Sequence, residues 1–313
     1  MLPQPADRAA RALRIGLTVS THAPEELRAI AVEVATGTGR IIVEDRPDRL
    51  AVATKSTQTD VVTEMDQRAQ DHIVATLAAR RPQDGFLGEE EGGNRAGESG
   101  ITWVVDPIDG TVNYLYSLGA YAVSIAAVTG DPTLPGQWHP VAGAVVNPVS
   151  GDVYSAALGR GATRTDRRGR VHRLSTTGAT DLSQALVATG FGYAAERRAW
   201  QGAVLADLIV DIRDIRRMGS AALDLCRVAE GSVDAYYERG LNPWDLAAGW
   251  LIVTESGGVV SGAGRGAGST AYPSAVPSPD MVVAAGNALH RSFVIRLERA
   301  MDAARRAADV TSA

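Results

Sequence analysis

Cysteine and lysine are almost missing from this chain of 313 residues, which holds one of each, Cys226 and Lys55. A single cysteine excludes an intrachain disulfide and points to a reducing compartment. Cys226 falls on the apolar face of a predicted helix, so it reads as core rather than nucleophile. Histidine is scarce as well. His72, His139, His172 and His290 stand isolated, without the spacing of a zinc site. No nucleophile elbow supports a Ser-His-Asp triad, and no P-loop lysine motif is present. No apolar run reaches the roughly 18–20 residues of a membrane span. Ile15–Val19 is too short for a signal-peptide core. Net charge is −5 with pI near 5.6, which argues against a nucleic-acid-binding surface. With 45% hydrophobic residues the chain has ample material for a core. It reads as a cytoplasmic globular protein with no membrane partner and no direct nucleic-acid contact.

Lysine usage says more than net charge. Of the 31 basic residues 30 are arginine, a skew that suggests selection against lysine codons. A lysine kept under such bias marks a position that arginine cannot fill, because its compact charge sits on a thin stem while guanidinium is a wide fork. Chance retention is the alternative.

Residues 1–22 read as a flexible N-terminal leader. The spacing predicts a helix over Pro24–Val43, and a second one after Asp60-Val-Val-Thr63-Glu-Met-Asp66, with Met65, Ala69, Ile73 and Leu77 on one face. Gly85–Gly88 is a short apolar stretch ending in Glu89-Glu90-Glu91. Strands are predicted over Tyr121–Val128, Val141–Asn147 and Val153–Ala157, with a connection over 130–140 that is long for a hairpin. Past residue 178 strands and helices alternate: strand Leu186–Thr189, helix Trp200–Val210, helix Ser220–Ala229, strand Val233–Tyr237, helix Leu246–Thr254, strand Met281–Ala285 and helix Leu289–Ala304. Residues 262–279, rich in Gly, Ser, Pro and Ala, read as a flexible surface loop. Residues 23–178 form an α+β half with an antiparallel sheet, residues 179–313 an α/β half, and the two make one integrated domain. The expected fold is a layered α-β-α-β-α sandwich.

The most telling segment is Trp103-Val-Val-Asp106-Pro-Ile-Asp109-Gly-Thr111-Val-Asn113. Trp103–Val105 reads as a buried strand, and Pro107 biases Asp106 towards extended geometry, so the strand is expected to end at Asp106. The chain then turns through Asp109-Gly110. A helix starting there offers free N–H groups and a dipole to an anion, beside two carboxylates that repel it unless a cation lies between. The implied chemistry is a hard metal ion joining carboxylates to a phosphate.

Four acidic clusters could share that site: Asp66, Glu89 with Glu90, Asp106 with Asp109, and Asp245. Taken singly each has an ordinary explanation. Thr63-x-x-Asp66 is a capping box, Glu89–Glu91 a solvated loop, and Asp245 a helix cap. Taken jointly, each lies where an apolar element ends, which is where side chains of a layered fold converge on a crevice. Four or five carboxylates plus a turn carbonyl would hold two or three magnesium ions.

These motifs resemble those of the inositol monophosphatase family. The likeness rests on Trp103–Asn113, Gly88-Glu-Glu90, Trp244-Asp-Leu-Ala-Ala-Gly249 and Lys55-Ser56 with Asp60–Asp66, all in family order over residues 25–300. It is strongest to bacterial SuhB-type members through Gly190-Phe-Gly-Tyr193 and Arg217–Cys226. The resemblance implies that Glu89, Asp106 and the Ile108 carbonyl bind a first magnesium, and that Asp106, Asp109 and Asp245 bind a second. Glu89 would hold a looser third through water. Gly110 and Thr111 would donate N–H groups to the phosphate. Asp66 and Thr111 would activate the attacking water, with Glu90 supporting it and Lys55 lying in a mobile loop nearby. Glu238 would receive substrate hydroxyls beside Ser220, Ala221 and Asp109.

The expected function is therefore magnesium-dependent, lithium-sensitive hydrolysis of a small phosphate monoester by a homodimer. Inositol monophosphate is preferred over histidinol phosphate, fructose 1,6-bisphosphate and phosphoadenosine phosphate. Relatives of this type also bind the transcription machinery without catalysis, which is the non-enzymatic alternative. Two departures from the family pattern stand out: Tyr114 in place of phenylalanine, whose hydroxyl needs a partner, and the length of the 130–140 connection.

Overall fold

The structure is a computed structural model that describes residues 23–263 and 277–311. The leader at 1–22 and most of the 262–279 loop lie outside the described residues.

Seven strands form the larger sheet, in the order β3 (Gly85–Gly88), β4 (Ile101–Asp109), β5 (Ala122–Gly130), β6 (Trp138–Asn147), β7 (Asp152–Ala157), β8 (Gly161–Thr165) and β9 (Val171–Arg173). All its neighbouring pairs are antiparallel except β3 with β4. β5 and β6 are buried on both faces along most of their length, so they read as apolar runs rather than alternating patterns. One face packs on α1 (Pro24–Glu44) and α2 (Glu64–Arg80) through Leu27, Val34, Ile73 and Leu77.

The smaller sheet has five strands, in the order β11 (Asp214–Arg216), β10 (Leu186–Thr189), β12 (Ala235–Glu238), β14 (Val282–Gly286) and β13 (Gly258–Gly262). Between the sheets lie α5 (Ala221–Glu230) and α6 (Pro243–Glu255), apolar nearly all round as a central layer requires. α4 (Ala195–Leu208) and α7 (Asn287–Thr311) cover the outer face of the small sheet through Val204, Leu208, Phe293 and Leu297. The order of layers is α-β-α-β-α, as expected from the sequence. β1 (Val52–Thr54) and β2 (Val61–Thr63) make a separate hairpin. No helix among the described residues is long and apolar enough to cross a membrane.

Three local expectations are corrected. β4 does not end at Asp106. Pairing with β5 breaks between Asp106 and Asp109 and resumes at Asp109 opposite Ala122. Pro107 removes one ladder donor but its fixed φ suits extended chain, so the result is a bulge rather than a stop. α4 begins at Ala195, five residues before the spacing suggested, because its first turn is exposed and carries no apolar periodicity. The 130–140 connection shortens to 131–137, since β5 and β6 extend beyond their apolar runs. The Tyr114 hydroxyl finds its partner in the Ile42 carbonyl at 2.8 Å.

Candidate active site

The acidic residues are carried by element ends that meet at one edge of the layers. Glu89 and Glu90 follow β3, Asp106–Asp109 close β4, Asp66 lies in the first turn of α2 and Asp245 in the first turn of α6. One carboxylate oxygen from each of Asp106, Asp109 and Asp245 lies within 4.8 Å of the other two. Ile108 N–H donates to Asp106 Oδ1 at 2.9 Å, so the bulge orients that carboxylate. Gly110 then turns the chain at φ 98° into the short helix α3 (Thr111–Leu115). A Cβ at Gly110 would lie 3.0 Å from the carbonyls of Ala120 and Gly219, so only glycine suits both the dihedral and the space.

Asp109 is held by the start of α5. Ser220 Oγ donates to Asp109 Oδ2 at 2.6 Å, and the N–H groups of Ala222 and Ala221 donate at 2.7 and 3.3 Å. This is anion binding at a helix N-terminus, with a protein carboxylate as the anion. Ser220 and Ala221, expected on the substrate, thus face the site through Asp109. Ala222 was not singled out from sequence, because a backbone donor leaves no side-chain signature.

Asp66 caps its helix and also faces Thr111. Its Oδ2 accepts from Thr63 N–H at 2.8 Å and Thr63 Oγ1 at 2.6 Å, completing the capping box. Its Oδ1 accepts from Thr111 Oγ1 at 3.2 Å, and that hydroxyl also lies 3.1 Å from the Ile108 carbonyl. Glu90 is fixed by Gln70, a buried residue unremarked in the sequence, whose amide spans Glu90 N–H and Glu90 carbonyl, each at 2.8 Å. Lys55, in the β1–β2 loop, reaches across to Glu89 at 2.9 Å and Glu90 at 2.5 Å. The only lysine therefore lies beside the acidic centre.

The opposite wall is built around Glu238, at the end of β12. Its Oε2 accepts from the Tyr236 hydroxyl at 2.6 Å. Gly190 follows β10, which pairs with β12, and has no room for a Cβ because the Glu238 carboxyl lies against it. Asp224 on α5, 1% exposed, was missed; its only signal is an acid inside Ala-Ala-Leu-Asp-Leu-Cys. Its Oδ1 has no hydrogen-bond partner.

Electrostatics follow from this crowding. Burial, then the charges of Glu89, Asp109, Asp245 and Asp66, holds Asp106 well above the usual carboxylate range. Asp245 is raised for the same reasons. Burial brings Asp109 up to about 6 against the lowering bonds from Ser220 and Ala222. Burial likewise brings Asp66 and Glu90 to about 6, and Glu238 to about 7. Burial alone would lower Lys55, but Glu89 and Glu90 together raise it. Two buried carboxylates and a half-buried one, converging without histidine or cysteine, form an all-oxygen donor set, which fits a hard dication and not zinc.

Residues 23–301 match the inositol monophosphatase family. The chain is 45% identical over 258 residues to an inositol-1-monophosphatase of Mycobacterium leprae, covering 78% of this chain and 86% of that one. It is 38% identical to a protein of Pasteurella multocida named Nus factor SuhB, covering 74% and 83%. Among solved structures, SuhB of Mycobacterium tuberculosis superposes with a TM-score of 0.69 at 38% identity, covering 89% of this chain and 98% of that one.

Proposed function

The chain belongs to the inositol monophosphatase family and is a phosphatase, and from that premise we propose that it hydrolyses myo-inositol monophosphate with magnesium. The observation that carries this reading is the convergence of Asp106, Asp109 and Asp245 beside the Asp66–Thr111 hydrogen bond. In this reading Glu89, Asp106 and the Ile108 carbonyl would hold one ion, Asp106, Asp109 and Asp245 would hold a second, and Glu89 would hold a looser third. When bound, such ions polarise water and offset the charge of a phosphate.

The chain's own residues do the rest. Gly110 and Thr111 receive the phosphate at the turn after β4. Thr111 Oγ1 stands between Asp66 and the bulge carbonyl, so a water donating to that hydroxyl passes its proton towards Asp66 Oδ1. Raised to about 6, Asp66 can hold that proton close to neutrality. Glu90, locked by Gln70, supports the same water from the other side, and Lys55 balances Glu89 and Glu90. Glu238 receives ring hydroxyls. A substrate lacking them leaves a buried acid unpaired, which gives discrimination. Cytoplasmic location, a homodimer and the absence of direct nucleic-acid contact belong to the same proposal.

The test is phosphate release from inositol 1-phosphate, histidinol phosphate, fructose 1,6-bisphosphate and phosphoadenosine phosphate, with magnesium and then with added lithium. Fastest release from inositol 1-phosphate, inhibited by lithium, is the expected outcome. Preference for another ester would move the substrate assignment. The Pasteurella relative's name supports one second reading, a binding role in transcription. Release from none of the four would favour it.

A further inference from the structure

The Gly110–Thr111 turn assigned above to the phosphate opens α3, which has five residues. A helix so far below the roughly 12–15 residues of a marginal one in water must be held from outside. The Asn113 amide holds its middle, donating to the Ala120 and Met218 carbonyls at 2.7 Å each. Arg46, two residues past the end of α1, holds its far end. Nη1 of Arg46 donates to the Tyr114 carbonyl at 2.6 Å. Its Nη2 donates to the Leu115 carbonyl at 3.4 Å and to Ser117 Oγ at 3.1 Å. The guanidinium also stands 4.4 Å over the Tyr114 ring.

The grip is reciprocal. The last carbonyls of a helix have no partner within it, and a cation beside them is favourable. Arg46 serves that end of α3. In return the Tyr114 hydroxyl reaches the Ile42 carbonyl in the last turn of α1 at 2.8 Å, a bond that phenylalanine cannot make. Packing does not secure the far end of α3, since Tyr116, Ser117 and Leu118 beyond it are exposed. Ser117 moreover takes φ 58°, the one positive value outside glycine among the described residues. Such a backbone persists only where its surroundings over-determine it. Here they are Arg46 on Ser117 Oγ and the Tyr114 carbonyl, which accepts from Ser117 N–H at 3.1 Å.

Resting on the phosphatase reading above, we propose that Arg46 is a positioning residue for catalysis, which keeps α3 wound so that the Gly110 and Thr111 N–H groups are in place before the phosphate arrives. It acts through Tyr114. The carbonyl of that residue accepts from Arg46, and its N–H donates to the Gly110 carbonyl at 3.0 Å. Without the guanidinium, α3 frays at Leu115 and the incoming phosphate must order the turn itself, which weakens its binding. Asp106, Asp109 and Asp245 are held by the β4 bulge, α5 and α6 rather than by α3, so magnesium binding does not depend on Arg46.

The experiment compares the full chain with its Arg46→Met variant in saturating magnesium. It measures hydrolysis of inositol 1-phosphate, or of whichever ester in the panel above is fastest, and competitive inhibition by inorganic phosphate. The inhibition constant and KM are expected to rise about tenfold, as for loss of one charged hydrogen bond, with the smaller part of the change in kcat. Magnesium titrated calorimetrically without phosphate is expected to bind both proteins equally. A Tm loss with an unchanged inhibition constant leaves Arg46 a purely structural role and overturns the proposal. So does a fall confined to kcat, and so does weakened magnesium binding, which would place the fault in the acidic centre. A second measurement needs no variant and holds if Arg46→Met does not fold. In the wild type, amide exchange over residues 114–118 is expected to be slow without phosphate and little changed by it. Fast exchange that slows on adding phosphate overturns the proposal. If the wild type hydrolyses none of the esters, the phosphatase reading fails separately. Calorimetric binding of inorganic phosphate then decides: about tenfold weaker binding in the variant supports the role of Arg46, and equal binding overturns it.

Discussion

Gly190→Ala is the most exacting test of the pocket, because one methyl group is placed against one carboxyl group. All three terminal atoms of Glu238 would lie far inside the 3.4 Å at which ordinary van der Waals contact begins. The carboxyl must retreat by more than about 1 Å, since the interior is close-packed and the β10 backbone is held by its pairing with β12. Retreat breaks the 2.6 Å bond from the Tyr236 hydroxyl, which is fully buried. An orphaned buried hydroxyl costs about 1–3 kcal/mol, and overpacking adds about as much. The sum is about 2–6 kcal/mol, or on the order of 5–15 °C in Tm for a chain of this size. Misplacing the carboxylate also removes its hydrogen bonds to substrate, worth about 10–100-fold in kcat/KM. Gly202→Ala serves as control. That glycine is inside α4 with nothing within 4 Å of a Cβ, so the substitution is expected to stabilise by about 0.5–1 kcal/mol. Thermal denaturation and steady-state kinetics read both variants. A Gly190→Ala protein with wild-type Tm and kcat/KM would refute the packing account of Glu238.

Asp106→Asn is expected to abolish magnesium-dependent turnover while circular dichroism stays native. In chelator it should be at least as stable as wild type, because the amide removes a buried charge crowded by Glu89, Asp109 and Asp245. Burial and then Glu238 bring Asp224 up to about 8, well above its unfolded value, so its favourable share is complete below about pH 4 and is lost as pH rises towards 8. Asp224→Asn should therefore flatten the decline in urea-denaturation stability between pH 5 and 8, by on the order of a few kcal/mol. An unchanged slope would mean that Asp224 is already ionised in the folded protein over that range. Trp103→Phe deletes the 2.9 Å bond from Nε1 to the buried Asp84 and should cost about 1–3 kcal/mol in the same assay. Magnesium should restore phosphate release after chelation and raise Tm with concentration, as any ligand of the native state does. A Tm independent of magnesium would count against the carboxylate site.

What the sequence revealed and hid follows from the range of each interaction. Asp66, Asp106, Asp109 and Asp245 were legible because each ends a run whose periodicity is local. The choice between cap and site at Asp66 was not legible; the structure puts one oxygen on Thr63, as a cap, and the other on Thr111. Gln70 and Ala222 left no trace and Asp224 only a weak one, since a Gln on a helix, a backbone donor and an acid among alanines acquire meaning from residues 14 or more positions away. The short strands β8, β9 and β11 were missed for a similar reason, being three to five residues held by pairing rather than by pattern. The family resemblance named Gly190-Phe-Gly-Tyr193 without a physical cause. The cause is now visible in Glu238 and Arg197, which occupy the space that side chains at 190 and 192 would need.

The arrangement also explains why this centre needs so elaborate a support. Asp106, Asp109 and Asp245 repel one another, and burial alone already disfavours their charge. Nothing local would keep them together. Each is instead fixed by a different element end: Asp106 by the β4 bulge, Asp245 by its own first turn of α6, where it accepts from Asn242 N–H at 2.7 Å, and Asp109 by the start of α5, 113 residues away. α5 and α6 belong to the central layer, whose packing between the two sheets is the largest block of core. Separating α5 from the sheets would therefore release Asp109 before it exposed the rest of the site. Ser220→Ala isolates that link, because Ser220 Oγ both donates to Asp109 Oδ2 and accepts from Leu223 N–H at 3.3 Å. Loss of the cap should cost about 1 kcal/mol, and loss of the charged bond about 1.5–3 kcal/mol more. If the fold positions Asp109 chiefly through α5, the magnesium concentration for half-maximal phosphate release must rise along with the loss of Tm. A Tm loss with unchanged magnesium dependence would show that the Ser220 hydroxyl is not needed, the bulge and the Ala221 and Ala222 N–H groups holding Asp109 in place without it.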